Sequence, residues 1–166
     1  PFYVDKLLKT MLEWKQKKLL PLFIFYCFEA IRVCNICGKG ATAMEILNGI
    51  VFTEEGKFSS QPVYTDGEHI SSHPSGETLD VKGLYVLPGL VDIHIHGYAG
   101  TDFCDGNPDG LRHMAEQLAC QGVTSFLGTT MAFGLKELSS AAEGYRKYLA
   151  APSPKGATLR GVHMEG

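Results

Sequence analysis

Two histidines one residue apart, His94 and His96, close the run Leu90-Val91-Asp92-Ile93-His94-Ile95-His96-Gly97. Side chains on a β-strand alternate between faces, so Asp92, His94 and His96 are expected on one face and Val91, Ile93 and Ile95 on the other. Three branched apolar residues predict that this second face is buried as well, which puts the imidazoles on a strand covered from both sides. Imidazole nitrogens taken out of water need a partner, and the chemistry open to two of them is the binding of a divalent cation. The competing reading is a pair of core histidines hydrogen-bonded to the backbone.

What positions the pair can be read from the flanking sequence. After Pro88 the pattern runs strand, helix, strand, helix, strand. Asn107 is placed to cap a helix with Pro108 at its first position, Leu111, Met114, Ala115, Leu118 and Ala119 form its buried stripe, and Gly122 ends it. Val123 to Thr129 reads as the next strand. A second helix is predicted from about Leu135 to Leu149, with Leu138, Ala141, Ala142, Tyr145, Tyr148 and Leu149 on its packed side and Pro152 and Pro154 beyond it. The third strand, Leu159 to Glu165, is expected to carry Leu159, Gly161, His163 and Glu165 on one face and Arg160, Val162 and Met164 on the other.

The strands begin at Val91, Val123 and Leu159, a repeat close to the roughly 31 residues per unit of an eight-unit α/β barrel. An open doubly wound sheet gives similar spacing. Both architectures place their chemistry at the carboxyl ends of the strands, where His94, His96 and Glu165 fall, so Glu165 is expected to face the same central space as the histidines.

Upstream, residues 44–87 read as part of a small β domain. Met44 to Phe52 alternates in part, Glu54-Glu55-Gly56-Lys57 turns, Gln61 to Ile70 supplies short strands broken at Asp66-Gly67, and Leu79 to Leu87 supplies another. Residues 1–43 differ in character. Lys15, Lys17 and Lys18 precede the apolar stretch Leu19 to Phe28, but Pro21 interrupts it, and about ten apolar residues are half the length a membrane span requires. Val4, Leu7, Leu8, Met11 and Leu12 fit a short amphipathic helix. Cys34 and Cys37 have the spacing of half a zinc ribbon without a second pair nearby. The expectation is a native start at Met44, since Lys39-Gly40-Ala41 can be encoded by codons that contain a purine-rich ribosome-binding sequence, with residues 1–43 as translated upstream sequence.

With 166 residues, 45% of them hydrophobic, and a formal charge of −3, the chain suits a globular core and offers no basic field for nucleic acid. A small-molecule partner is expected, and neither nucleic acid nor a membrane. Five cysteines without a regular framework suggest a reducing, cytoplasmic setting. Other polar residues receive plainer readings: His69, His73 and His113 as surface, Cys104 and Cys120 as ordinary thiols, and Asp102 and Asp105 as shapers of the glycine-rich loop. Asp92 is read as an orienting or structural partner of the histidines, and His163, one layer deeper than Glu165, as barrel filling or substrate support.

The combination Leu87-Pro88-Gly89-Leu90-Val91-Asp92-Ile93-His94-Ile95-His96-Gly97, Thr101-Asp102-Phe103, Asp105-Gly106, Gly122-Val123-Thr124-Ser125, Thr129-Thr130 and Gly161-Val162-His163-Met164-Glu165-Gly166 resembles the N-acetylglucosamine-6-phosphate deacetylase family of the amidohydrolase superfamily. The resemblance covers residues 44–166. It implies an α/β fold, the first three units of a metal-dependent (β/α)8 barrel preceded by part of a small β-sandwich (residues 44–87 and 88–166), in a chain that stops short of a whole barrel. It implies that Glu165 is a metal ligand, that His94 and His96 bind a metal in members with a second site, and that Asp92 and His163 support them. The cofactor is then a divalent metal, zinc or iron, as one or two ions. The substrate is an amino-sugar phosphate, and the full-length protein is expected to be a cytoplasmic homodimer. The family's catalytic acid is an aspartate of the last barrel strand, so no catalytic acid is expected within these residues, and the 166-residue polypeptide alone is expected to be inactive. The alternatives are an amidohydrolase cleaving a cyclic amide, which would bridge its metals with a strand-four lysine, and a non-catalytic chain, inert or a zinc module on Cys34 and Cys37.

Overall fold

The computed structural model describes residues 24–25 and 43–165, apart from 67, 68 and 75. The amphipathic segment, the Cys34–Cys37 pair and the rest of the 1–43 extension lie outside the described residues. In chain order the strands are β1 (Ile24–Phe25), β2 (Met44–Leu47), β3 (Ile50–Phe52), β4 (Phe58–Ser59), β5 (Val63–Asp66), β6 (His69–Ser71), β7 (Glu77–Asp80), β8 (Tyr85–Leu87) and β9 (Leu90–Ile95). After them come β10 (Gly97–Tyr98), β11 (Thr101–Asp102), α1 (Pro108–Cys120), β12 (Val123–Thr129), α2 (Leu135–Ala150) and β13 (Thr158–His163). The described residues divide into two compact units, one of Ile24 with 43–88 and one of Phe25 with 89–165.

The first unit holds two small sheets, ordered β6-β5-β2-β7 and β8-β3-β4. Met44, Ile46, Val51, Val63, Val81 and Val86 are buried in it. The single strand expected over Leu79 to Leu87 is two strands, because Lys82 and Gly83 both take positive φ (49° and 82°) and turn the chain between them. His69 belongs to β6 rather than to a turn, and both it and His73 are exposed.

The second unit is a three-stranded parallel sheet, ordered β13-β12-β9, with β12 in the middle. Helix α1 forms as its sequence dictates. The Asn107 side chain accepts the Asp109 N–H at 3.0 Å, Pro108 occupies the first turn, and Leu111, Met114, Ala115, Leu118 and Ala119 are all buried. These five join Phe103, Phe126, Tyr148, Ala157 and Leu159 in one core, where each large side chain contributes about 1.5–3 kcal/mol through burial.

Helix α2 turns a different stripe inward from the one expected. Ala141, Gly144 and Tyr148 are buried, whereas Ala142 is exposed and Leu149 is 49% exposed. The cause is Gly144, which a hydrophobicity pattern overlooks. A Cβ there would lie 2.6 Å from Gly106 Cα, so the missing side chain lets the 103–106 turn approach the helix backbone and sets the helix's rotation.

Two further expectations fail for related reasons. Val91 and Ile93 are 66% and 64% exposed, so strand β9 is not covered on that face by the described residues; only Ile95 packs against the core. Leu159 does not share a face with Gly161, His163 and Glu165, since it is buried among the helix residues. The ladder between β12 and β13 shifts register between Phe126 and Leu127, and such an irregularity interrupts strict alternation. Strand β13 also ends at His163, two residues before Glu165.

Candidate metal centre

His94 and His96 come together with Glu165 at the carboxyl ends of the parallel strands. His94 Nε2 lies 3.3 Å from His96 Nε2, 2.6 Å from Glu165 Oε1, and His96 Nε2 lies 3.7 Å from Glu165 Oε2. The side chains are 46%, 34% and 37% exposed respectively, so the cluster is open to solvent on one side. His163, expected behind the ligands, stands beside them. Its ring centroid is 4.6 Å from that of His94, and one ligand atom from each of His94, His163 and Glu165 lies within 4.8 Å of the others. Geometry therefore makes His163 a fourth candidate donor, a residue that the strand pattern assigned to a deeper layer.

The surrounding backbone explains why these donors converge. Asp92 Oδ1 accepts the His94 N–H at 3.0 Å, which fixes the backbone on which the first imidazole stands. The carbonyl of His96 accepts the Phe103 N–H at 2.7 Å, tying the second imidazole to a residue that is 1% exposed in the core. Between the two, β10 and β11 pair as a hairpin turned by Ala99 and Gly100, both at positive φ. Gly97 is required there, since a Cβ would collide with the Thr101 carbonyl oxygen. Asp102 and Asp105 shape this loop as expected: Asp102 Oδ1 accepts the Cys104 N–H at 2.7 Å and Asp105 Oδ2 accepts the Asp102 N–H at 3.0 Å. Cys104 Sγ accepts the Met131 N–H at 3.4 Å, and His113 and Cys120 are exposed.

The donor set fits a divalent cation. Two ligands about 2.0–2.1 Å from a tetrahedral ion stand about 3.3–3.4 Å apart, the separation of the two histidine Nε2 atoms; His94 Nε2 and Glu165 Oε1, at 2.6 Å, stand at hydrogen-bond distance and would part by a few tenths of an ångström to admit the ion. Two nitrogens at that distance cannot both point protons at each other, and one cation satisfies both lone pairs together with the carboxylate. His96 Nδ1 and Thr129 Oγ1 are buried without a hydrogen-bond partner among the described residues; neither is an atom that would ligate the ion. Thr130 enters the sequence resemblance only within the pair Thr129-Thr130 and is given no role by it. Its hydroxyl accepts the Glu165 N–H at 3.2 Å, and the only hint in the sequence is a threonine pair at the end of the neighbouring strand.

No protein-family model matches the chain. Over 123 residues it is 36% identical to N-acetylglucosamine-6-phosphate deacetylase of Bacillus subtilis (strain 168), an alignment covering 73% of this chain and 30% of that protein. It is 29% identical over 141 residues to the deacetylase of the same name from Vibrio furnissii, covering 85% of this chain and 32% of the relative. Its fold matches the crystal structure of N-acetylglucosamine-6-phosphate deacetylase from Pasteurella multocida with a TM-score of 0.66 at 23% identity, over 75% of this chain and 34% of that one. The chain spans about a third of the length of the curated relatives it matches. Fold and relatives together define an α/β polypeptide whose parallel strands end in a cluster of two histidines and a glutamate. Over the aligned residues, the chain is a relative of the N-acetylglucosamine-6-phosphate deacetylases.

Proposed function

We propose that the intact protein containing these residues hydrolyses the acetamide of N-acetylglucosamine 6-phosphate to glucosamine 6-phosphate and acetate. The observation that carries this reading is the convergence of His94 Nε2, His96 Nε2 and the Glu165 carboxylate, every pair within 3.7 Å, in a chain related to deacetylases of that name. A divalent ion, zinc or iron and one or two in number, would supply a water made acidic enough to ionise near neutral pH and a Lewis acid for the acetamide oxygen. His94 and His96 would present Nε2 lone pairs to it, His94 giving up the Nε2–H that it can share with Glu165 at 2.6 Å, with each ring's proton then on Nδ1. Glu165 brings the negative charge that offsets the ion, and Asp92 holds the His94 backbone in place. His163 lies at a distance from which it can join the donors or support the substrate. Protonation of the departing amine falls to none of these groups. The resemblance gives that role to an aspartate of the last barrel strand, and the 166-residue polypeptide by itself is therefore expected to release no acetate.

The parallel order β13-β12-β9 with intervening helices supports reading residues 88–166 as the first three units of a (β/α)8 barrel. The two small sheets of the first unit support reading residues 44–87 as part of a β-sandwich. Among the described residues no helix is long and apolar enough to cross a membrane; the reading of a cytoplasmic homodimer at full length rests on the family likeness alone. The test is acetate release by the intact, metal-loaded protein. Release from N-acetylglucosamine 6-phosphate that stops on chelation and returns with zinc or iron(II) is the expected result. A metal-loaded protein inert toward that substrate overturns the assignment.

A further inference from the structure

We infer that Thr130 is a positioning residue that fixes the metal-binding posture of Glu165; the inference rests on the metal reading above. The regular ladder between β12 and β13 ends at the pair Thr129 and His163. Glu165 therefore stands beyond the strand that was expected to carry it, and the sheet does not orient it. Thr130 takes over that task with two bonds. Its backbone N–H donates to the His163 carbonyl at 3.0 Å, continuing the ladder by one rung, and its hydroxyl accepts the Glu165 N–H at 3.2 Å, in place of the Thr130 carbonyl that a regular parallel ladder would use. Both bonds fall on residues of the donor cluster, which is a clamp across Met164. Thr130 is 4% exposed, so water does not readily replace its hydroxyl. Met164, the residue between the two clamped positions, is 70% exposed and contributes little packing of its own. An acidic side chain on such a segment keeps one direction only if its backbone is held, and Thr130 is the described group that holds it.

Groups that orient metal ligands typically matter by 10–100-fold in metal affinity. The experiment uses the intact protein and measures zinc affinity by competition with a chromophoric chelator, and the visible spectrum of the cobalt(II) form. Thr130→Val keeps shape and loses the acceptor; it is expected to weaken zinc binding at least tenfold and to alter the cobalt spectrum. Thr130→Ser keeps the hydroxyl and is expected to bind within about threefold of wild type. Thr124→Val is the control, because Thr124 lies on β12, the strand that ends one residue before Thr130, is 1% exposed and spends its hydroxyl on the Leu90 carbonyl at 3.3 Å; it is expected to lower thermal stability without changing zinc affinity. Equal affinity in Thr130→Val and wild type overturns the inference alone. So does a Thr130→Ser protein that has lost affinity tenfold, a comparison that stands even if the valine variant does not fold. A wild-type protein that binds no divalent ion removes the metal reading instead.

Discussion

Gly128 offers a test in which the sign of a stability change is decided by one aromatic ring. It sits on the central strand β12, paired with Ile95 on one side and Val162 on the other. Its φ is not in the positive range, so an L-residue can adopt its backbone. On conformational grounds alone, Gly128→Ala would stabilise the protein by about 0.4–1 kcal/mol, through a less flexible unfolded chain. The structure reverses that expectation. An alanine Cβ would overlap the Phe103 ring at Cδ2 and Cε2 and lie 2.8 Å from its Cγ. Neither partner can easily yield: the backbone is bonded to strands on both sides, and Phe103 is 1% exposed within the core. Overpacking of this kind costs about 1–3 kcal/mol, which outweighs the gain, so Gly128→Ala is expected to be net destabilising. Phe103→Leu removes the ring edge, and the double variant is expected to recover most of the loss, giving a coupling of about 1–3 kcal/mol in a double-mutant cycle. Urea unfolding midpoints of the intact protein and its three variants provide the assay. A stabilised Gly128→Ala protein, or strictly additive single changes, would refute the packing argument.

Other substitutions probe the elements that carry the site. Asn107→Ala removes the side chain that caps α1 and is expected to cost about 1 kcal/mol, read as a lowered melting temperature with unchanged metal content. Asp92→Ala frees the His94 N–H and is expected to weaken zinc binding by about tenfold or more; isothermal titration of the intact protein would show it, and unchanged affinity would make Asp92 a bystander.

Much of the second unit was legible because its signals are local and redundant. Helix α1 announces itself with a capping asparagine, a proline in the first turn and an unbroken apolar stripe, and each agrees with the others. Its neighbour α2 was misread in rotation, since its closest approach is made by Gly144, a residue whose importance lies in what it lacks. Faces of the strands were legible only where alternation held. The register shift beside Leu127 sent Leu159 to the helix side, and the exposure of Val91 and Ile93 could not be foreseen from residues that are apolar whether covered or not. The histidine pair and Glu165 were readable as a group because they lie at the ends of parallel strands. Thr130 was not, because a hydroxyl that holds a backbone N–H 35 residues away leaves no periodic trace.

The account depends on one cation being shared by donors from two strands. The direct measurement is an anomalous-difference map of the intact, zinc-soaked protein recorded at the zinc edge. A single strong peak about 2.0–2.2 Å from Glu165 and from Nε2 of His94 and His96 is the predicted result, with a second peak nearby if two ions bind. A map with no peak among these side chains, or with the zinc held elsewhere and His94 still donating to Glu165, would contradict it.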